Sequence, residues 1–255
     1  MQLWQRCWQA VGHRFDVRVD SDLLAYFRII FGMVGVTWVV KRFHSGAIDS
    51  FYIAPEHHFH YFGFAFVAEL PPSHIEFGVL GLAALLVAAG LWFRVAALVF
   101  AVVFTHLFLV DKCLYQNHYY LMCLLAWILP VLPCDRAWTL WCAKGLREKD
   151  TSVPFGALWL LRFQLAVPYV YGGIAKLSSD WLAGEPMRQM LLQRADFPLV
   201  GAFFLEEWCV MGFTYGGLLF DLLIVPLLFV RGFRIVAFAW AIAFHVINAS
   251  KRSPP

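Results

Sequence analysis

Leu23-Leu24-Ala25-Tyr26-Phe27-Arg28-Ile29-Ile30-Phe31-Gly32-Met33-Val34-Gly35-Val36-Thr37-Trp38-Val39-Val40 is the stretch on which the fold turns. Arg28 is its single charge, and Asp22 and Lys41-Arg42 bound it. A helix rises 1.5 Å per residue and the hydrocarbon of a bilayer is about 30 Å thick, so a crossing needs roughly 20 apolar residues. With its flanks the run covers 22–41, and comparable apolar runs follow at about 76–93, 95–110, 116–132, 155–177, 209–230 and 233–249. These runs predict an all-α fold, a polytopic transmembrane helical bundle of about seven spans plus interfacial helices. Residues 1–255 read as a single membrane domain with no C-terminal extramembrane domain.

Composition supports that reading. The chain is 61% hydrophobic and 15% charged, with a mean hydropathy of +0.67. Soluble domains carry about 25% charged residues, so too little polar surface exists here to coat a water-soluble globule. Disorder, collagen-like structure and a disulfide scaffold are excluded by the same figures. The 25 Phe and 11 Trp suit a lipid-facing surface with interfacial aromatic belts. The net charge is only +3, and Lys and Arg are dispersed, so nucleic acid is not an expected partner. The six Cys show no metal-binding spacing, and no metal is expected; Cys134 and Cys142 either bridge across a loop or stay free. Residues 1–21 are polar and carry Arg6, Arg14 and Arg18, unlike a cleavable signal peptide. With the N-terminus in the cytoplasm, inner segments hold ten Lys and Arg against eight outside, and Arg28 and Arg162 inside spans complete the 20. This small bias orients an integral, multi-pass protein with its N-terminus cytoplasmic.

Two connections are long. Residues 42–75 contain Pro55, Pro71, Pro72 and Glu56-His57-His58-Phe59-His60-Tyr61-Phe62, and residues 178–208 contain Trp181, Gly184, Pro186 and Phe203-Phe204-Leu205-Glu206-Glu207-Trp208. The first is expected to lie along the interface, and the second to be an interfacial or re-entrant stretch.

Ionisable and amide side chains inside spans are the informative ones, because each is costly unless it faces a partner or a wet cavity. They are Arg28 in the first span, Asn117 and His118 at the start of the fourth, Arg162, Gln164, Tyr169 and Lys176 in the fifth, Asp221 in the sixth, and His245 and Asn248 in the seventh. Arg28 and Asp221 read as a structural charge pair between helices, and His106 as a packed or interfacial histidine. Lys176 ends Tyr169-Val170-Tyr171-Gly172-Gly173-Ile174-Ala175-Lys176, where Tyr169, Gly172 or Gly173, and Lys176 share one helix face. The glycines let another backbone or a planar ligand come close. A lysine snorkelling from a helix end is the structural alternative. Amine, imidazole and amide groups together are what base catalysis in a dry pocket needs, because burial favours the uncharged form of an amine.

Four stretches carry a family resemblance: Leu24-Ala25-Tyr26-Phe27-Arg28-Ile29-Ile30-Phe31-Gly32; Asp111-Lys112 through Asn117-His118-Tyr119-Tyr120-Leu121; Gly172-Gly173-Ile174-Ala175-Lys176-Leu177-Ser178-Ser179-Asp180-Trp181-Leu182-Ala183-Gly184-Glu185-Pro186; and Gly217-Leu218-Leu219-Phe220-Asp221-Leu222 with Phe244-His245-Val246-Ile247-Asn248. In this order, over residues 20–248, the sequence resembles the vitamin K-dependent gamma-carboxylases and their bacterial HTTM (horizontally transferred transmembrane) relatives. The resemblance implies a lyase-type reaction in which a lysine amine deprotonates reduced vitamin K, the hydroquinone. Oxygen then adds, and the oxygenated quinone takes a γ-proton from glutamate so that the carbanion attacks carbon dioxide. It places the base on Lys176, the Asn-His pair of the catalytic set on Asn117 and His118, and quinone or substrate binding on Tyr169, Gly172, Gly173, His245 and Asn248. The implied partners are a lipid-soluble quinone, with O2 and CO2 as co-substrates, a glutamate-containing peptide or protein, and membrane lipid.

The carboxylases continue beyond Phe-His-x-x-Asn with a further apolar segment and a large domain that holds the substrate propeptide. Here Ala249-Ser250-Lys251-Arg252-Ser253-Pro254-Pro255 follows, so a short bacterial-type form is expected. A quinone- or lipid-binding, non-enzymatic protein of the DoxX-like kind, which also carries Gly-x-x-Lys-Leu at a helix end, is the alternative. Such a chain would typically have about four helices and lack the Asn-His and Phe-His-x-x-Asn elements.

Overall fold

The structure is a computed structural model that describes residues 15–249, apart from 65, 68, 69, 147 and 199, with 247–249 described without their side chains. The polar stretch up to residue 14, Lys251 and Arg252, and the side chain of Asn248 lie outside the described residues. The chain forms two compact units, Met1–Arg162 and Phe163–Pro255.

In the first unit a short ribbon departs from a purely helical fold. Strand β1 (Arg18–Asp20) runs antiparallel to β2 (Ser152–Pro154), with Val19 opposite Val153. Helices α1 (Asp22–His44), α2 (His74–Ala89), α3 (Phe93–Leu109) and α4 (Asn117–Ile128) pack in sequence, α1 on α2, α2 on α3 and α3 on α4. In α1, Asp22 in the first turn and Lys41, Arg42 and His44 in the last complement the helix dipole. Helix α2 begins at Ser73, whose hydroxyl accepts the Glu76 N–H at 3.3 Å, and stops at Gly90. The core between these helices is aromatic, with Phe31 edge-on to Phe100 at 5.2 Å and Phe100 stacked on Phe104 at 5.6 Å.

Arg28 is fully buried. Its Nη1 donates to the carbonyls of Val87 at 3.0 Å and Ala88 at 2.9 Å, and its Nη2 to those of Ala137 at 3.4 Å and Trp138 at 2.6 Å. Val87 and Ala88 end α2, where backbone carbonyls lack intrahelical partners and carry the negative end of the dipole. A cation from another helix therefore closes the C-terminus of α2. Gly90 makes room for it: a Cβ there would lie 2.2 Å from Nη1, and its φ of +69° belongs to the left-handed region.

The second unit contains the later part of α5 (Phe155–Ala175), a single turn at Ser179–Leu182, α6 (Glu185–Leu192), a 3-10 turn at Gly201–Leu205, α7 (Glu207–Phe229) and α8 (Arg234–Ala249). Helix α7 packs on both α6 and α8. Phe220, Ile224 and Ala237 are its buried centre, with Tyr169, Trp240 and Phe244 against them.

All seven apolar runs are helical, but they differ in length. Among the described residues, α1 and α7 are long and apolar enough to cross a membrane by length and composition. Helix α2 and α3 are shorter, as is the apolar stretch Asn117–Val131. The 16 residues of α2 rise only about 24 Å, below the hydrocarbon thickness. Helix α5 is 21 residues long, but Arg162, Gln164 and Pro168 dilute its hydropathy.

The His-rich connection is irregular after a π-helical turn at Asp49–Ile53, and is tied down at Asp111. His58 Nδ1 lies 3.4 Å from Asp111 Oδ2, and the Phe59 carbonyl accepts the Lys112 N–H at 2.8 Å. Burial pushes the Asp111 carboxyl upward, but hydrogen bonds from the Cys113 amide, His58 and the Phe59 amide outweigh it and leave it below the ordinary range. A carboxyl with a depressed folded value stabilises above its unfolded value and loses that contribution as pH falls through the folded one. Thermal unfolding in detergent is therefore expected to lose stability below about pH 4 in the wild type and to change less over the same interval in Asp111→Asn. Parallel pH profiles for the two proteins would contradict this account.

Candidate functional site

Within the second unit, α5 and α7 meet at a contact that only small residues permit. A Cβ on Gly173 would sit 2.6 Å from Leu222 Cδ2 and 2.9 Å from its Cγ. A Cβ on Gly172 would meet Asp221 Oδ2 at 3.0 Å and Lys176 Nζ at 3.9 Å. Of the two approaches that these glycines allow in sequence, a second backbone or a planar ligand, it is helix α7 that occupies the space. The consequence is chemical. With α7 this close, Lys176 Nζ donates a hydrogen bond to Asp221 Oδ2.

The amine is further enclosed by Trp181, whose ring centroid lies 5.1 Å from Nζ. Trp181 Nε1 donates to the Thr214 carbonyl at 3.3 Å, which fixes the indole against α7. A cation over an indole face is stabilised where water is excluded. The Lys176 side chain is only 20% exposed, so it turns inward and does not snorkel.

Arg28 and Asp221, expected as a charge pair, each have hydrogen-bond partners inside their own unit. The two terminal nitrogens of Arg28 donate to carbonyls of its own unit, two of them at the negative end of α2, while its Nε has no partner among the described residues, and Asp221 takes Lys176 on the face left bare by Gly172.

Two turns back along α5, about 10 Å by helical rise, Tyr169 Oη lies 3.2 Å from His245 Nε2. Both pack edge-on to Phe220, at 5.9 Å and 6.1 Å, and Phe220 stacks on Phe244 at 3.9 Å. Tyr169 on α5 and Lys176 just past its end are thus joined to His245 of α8 and Asp221 of α7.

A cleft of about 340 Å3 opens beside the amine, lined by Lys176, Trp181, Arg194, Phe213, Trp240 and Phe244 among others. Gly212, Gly216 and Gly217 of α7 also line it, and a Cβ built on any of the three meets nothing within 4 Å. This volume lies within the range of small-molecule sites, which are mostly apolar with a few convergent polar groups.

Asn117 and His118 open α4 in the first unit, and both are exposed. The His118 ring lies edge-on to Tyr119 at 4.4 Å. His106 is structural, bridging Glu76 Oε1 at 2.5 Å and the Leu70 carbonyl at 3.0 Å. Cys134 and Cys142 are free. Sequence reasoning missed Trp181 as the cover of Lys176, Arg194 and the open glycines as cleft lining, and Asp221 as the lysine's partner. The available signal was the Gly172-Gly173 pair, which marks a close helix contact, together with an acid in the next long apolar helix.

The HTTM domain family matches residues 17–251, nearly the whole chain and both units. The chain belongs to the HTTM family. HTTM proteins are associated with vitamin K-dependent carboxylase-like membrane proteins, and with the two apolar helices α1 and α7 the match marks this chain as a membrane protein. No solved structure shows a significant match to it. In this HTTM chain the family match begins just before β1 and ends just beyond α8, so the unit boundary inside α5 is not a family boundary.

Proposed function

We propose that this HTTM protein crosses the membrane about seven times with its N-terminus cytoplasmic, binds a reduced quinone of the vitamin K type in the cleft beside Lys176, and couples its oxygenation to carboxylation of glutamate. Apolar side chains that stand exposed on the shorter helices, such as Ile75, Val95 and Ile235, support a lipid surroundings for them. The observation that carries the chemical reading is the Lys176 amine at the wall of an aromatic cleft, held by Asp221 and covered by Trp181.

The residues present fit a flat, apolar ring system. Trp181, Phe213, Trp240 and Phe244 offer faces and edges, and the side-chain-free surface of Gly212, Gly216 and Gly217 leaves room for a plane. When bound, reduced vitamin K supplies the oxygen-driven base chemistry that takes a γ-proton from glutamate before carbon dioxide adds. Asp221 has two tasks toward the amine. It aims Nζ along the cleft, and it can receive the ammonium proton on Oδ2, leaving the neutral amine as base. The aromatic lining keeps water from a reactive centre. Tyr169 and His245 form a second proton-carrying pair about two turns from it. By resemblance alone, Asn117, His118 and Asn248 remain further candidates for the reaction.

The test is incubation of detergent-purified protein with reduced vitamin K and O2, with and without a glutamyl peptide and labelled carbon dioxide. Epoxide formation and peptide-dependent label incorporation are expected. Epoxide without incorporation would remove the carboxylation half, and neither epoxide nor quinone binding would overturn the proposal. Gly216→Leu fills the cleft from a position with open space, so it is expected to fold normally and weaken quinone binding by about tenfold or more. Unchanged affinity in that variant would move the quinone out of this cleft.

A further inference from the structure

The cleft carries a second basic residue for which the quinone reading has no use. Among the residues lining it, Lys176 and Arg194 are the ionisable ones. The charge of Lys176 is balanced by Asp221. Arg194 is different: among the described residues its guanidinium makes no hydrogen bond or ion pair, although it is partly buried at the cleft. Arg188, on α6 just before it, shows the contrast, because it is held in a fork by both oxygens of Glu207, at 2.5 Å and 3.1 Å.

We infer that Arg194 is the carboxylate-recognising residue of this cleft, and that its ligand is the side chain of a glutamyl residue in a peptide. The inference rests on the proposed function for the role of that glutamate. The recognition itself follows from charge and shape. One uncompensated positive charge calls for a monoanion, and the planar guanidinium matches a carboxylate bidentately. A guanidinium without a partner is also ready to bind, since no internal ion pair has to break first. The apolar remainder of the wall, Met187, Met190 and Leu191 of α6, suits the methylenes of a glutamyl side chain and its neighbours. Arg194 thus holds the acid in the same cleft as Lys176.

A double-substitution cycle tests this without needing turnover. Affinities of a short glutamyl peptide and its glutaminyl counterpart are measured by titration against detergent-solubilised wild type, Arg194→Gln and Arg194→Lys, following tryptophan emission from Trp181 and Trp240. Wild type is expected to prefer the glutamyl peptide by about tenfold or more, and Arg194→Gln to abolish the preference by weakening only the glutamyl peptide. Arg194→Lys should keep part of it, because charge is retained and the fork is lost. Equal weakening of both peptides, or a preference that survives in Arg194→Gln, would overturn the inference. So would loss of phosphatidylglycerol binding in Arg194→Gln with the peptide preference intact, which would assign Arg194 to a lipid headgroup. Absence of epoxide in the wild type, read in its own assay, would count against the proposed function and leave this binding result standing.

Discussion

Lys176→Arg is expected to make no epoxide while still binding quinone. The guanidinium can keep an ion pair with Asp221 and lie under Trp181, so charge is retained where the amine was. What is lost is the ability to exist uncharged, because an arginine is not deprotonated in a protein. General-base assistance of this kind contributes about 10²- to 10⁴-fold in rate, and the loss should appear in turnover with little change in affinity. Lys176→Ala should be as inactive. A small exogenous amine should restore part of its rate, more so as pH approaches that amine's own pKa. Activity in Lys176→Arg near that of wild type would show that the cleft needs only a positive charge, and the base role would be withdrawn. Epoxide assays under single-turnover conditions, paired with quinone titrations, separate these outcomes.

Arg28→Met is expected to cost the first unit most of its stability. The substitution removes donors to four carbonyls in a fully buried position, and two of those carbonyls end α2. Hydrogen bonds to a charged group are worth about 1.5–3 kcal/mol each, and breaking a buried charged network costs on the order of 3–5 kcal/mol. The yield of monodisperse protein in detergent should fall sharply. Arg28→Lys should recover part of it, reaching some of the carbonyls with a compact ammonium. Gly90→Ala should reproduce much of the loss with Arg28 unchanged, because the new Cβ meets Nη1 and the backbone stays in the left-handed region. Asp221→Ala, by contrast, should act on the second unit through Lys176. If Arg28→Met and Asp221→Ala were strongly non-additive in thermal unfolding, the separate partners assigned to the two charges would be wrong.

The helical positions of the seven apolar runs were legible in the sequence because a long uninterrupted apolar segment bounded by charge, Pro or Gly leaves a one-dimensional trace. Runs such as 22–41 and 209–230 leave it with little interruption, and their helices, Asp22–His44 and Glu207–Phe229, extend only a few residues beyond them. The shorter runs were read as spans as well, and they are helical, but among the described residues only α1 and α7 are long and apolar enough to cross by length and composition. The residues around Lys176 were also legible, because the glycines, the lysine and the tyrosine share a face that helical spacing alone defines.

The partners of the charges were not legible. Spacing within a helix says nothing about which of several distant residues an ionisable group will meet. Arg28 looked for a carboxylate on paper, and in the fold it meets backbone carbonyls, which leave no trace in side-chain chemistry. Asp221 meets Lys176 because Gly172 and Gly173 let α5 and α7 approach within side-chain contact, a condition set by both helices at once. The cleft is likewise a property of packing, since Gly212 and Gly216 line open space only because nothing from α6 or α8 fills it. Sequence by itself determined the helical segments, the apolar surface and the candidate amine; tertiary structure alone decided the amine's partner, its cover and the unpaired arginine beside it, because those depend on distances between helices that no local pattern encodes.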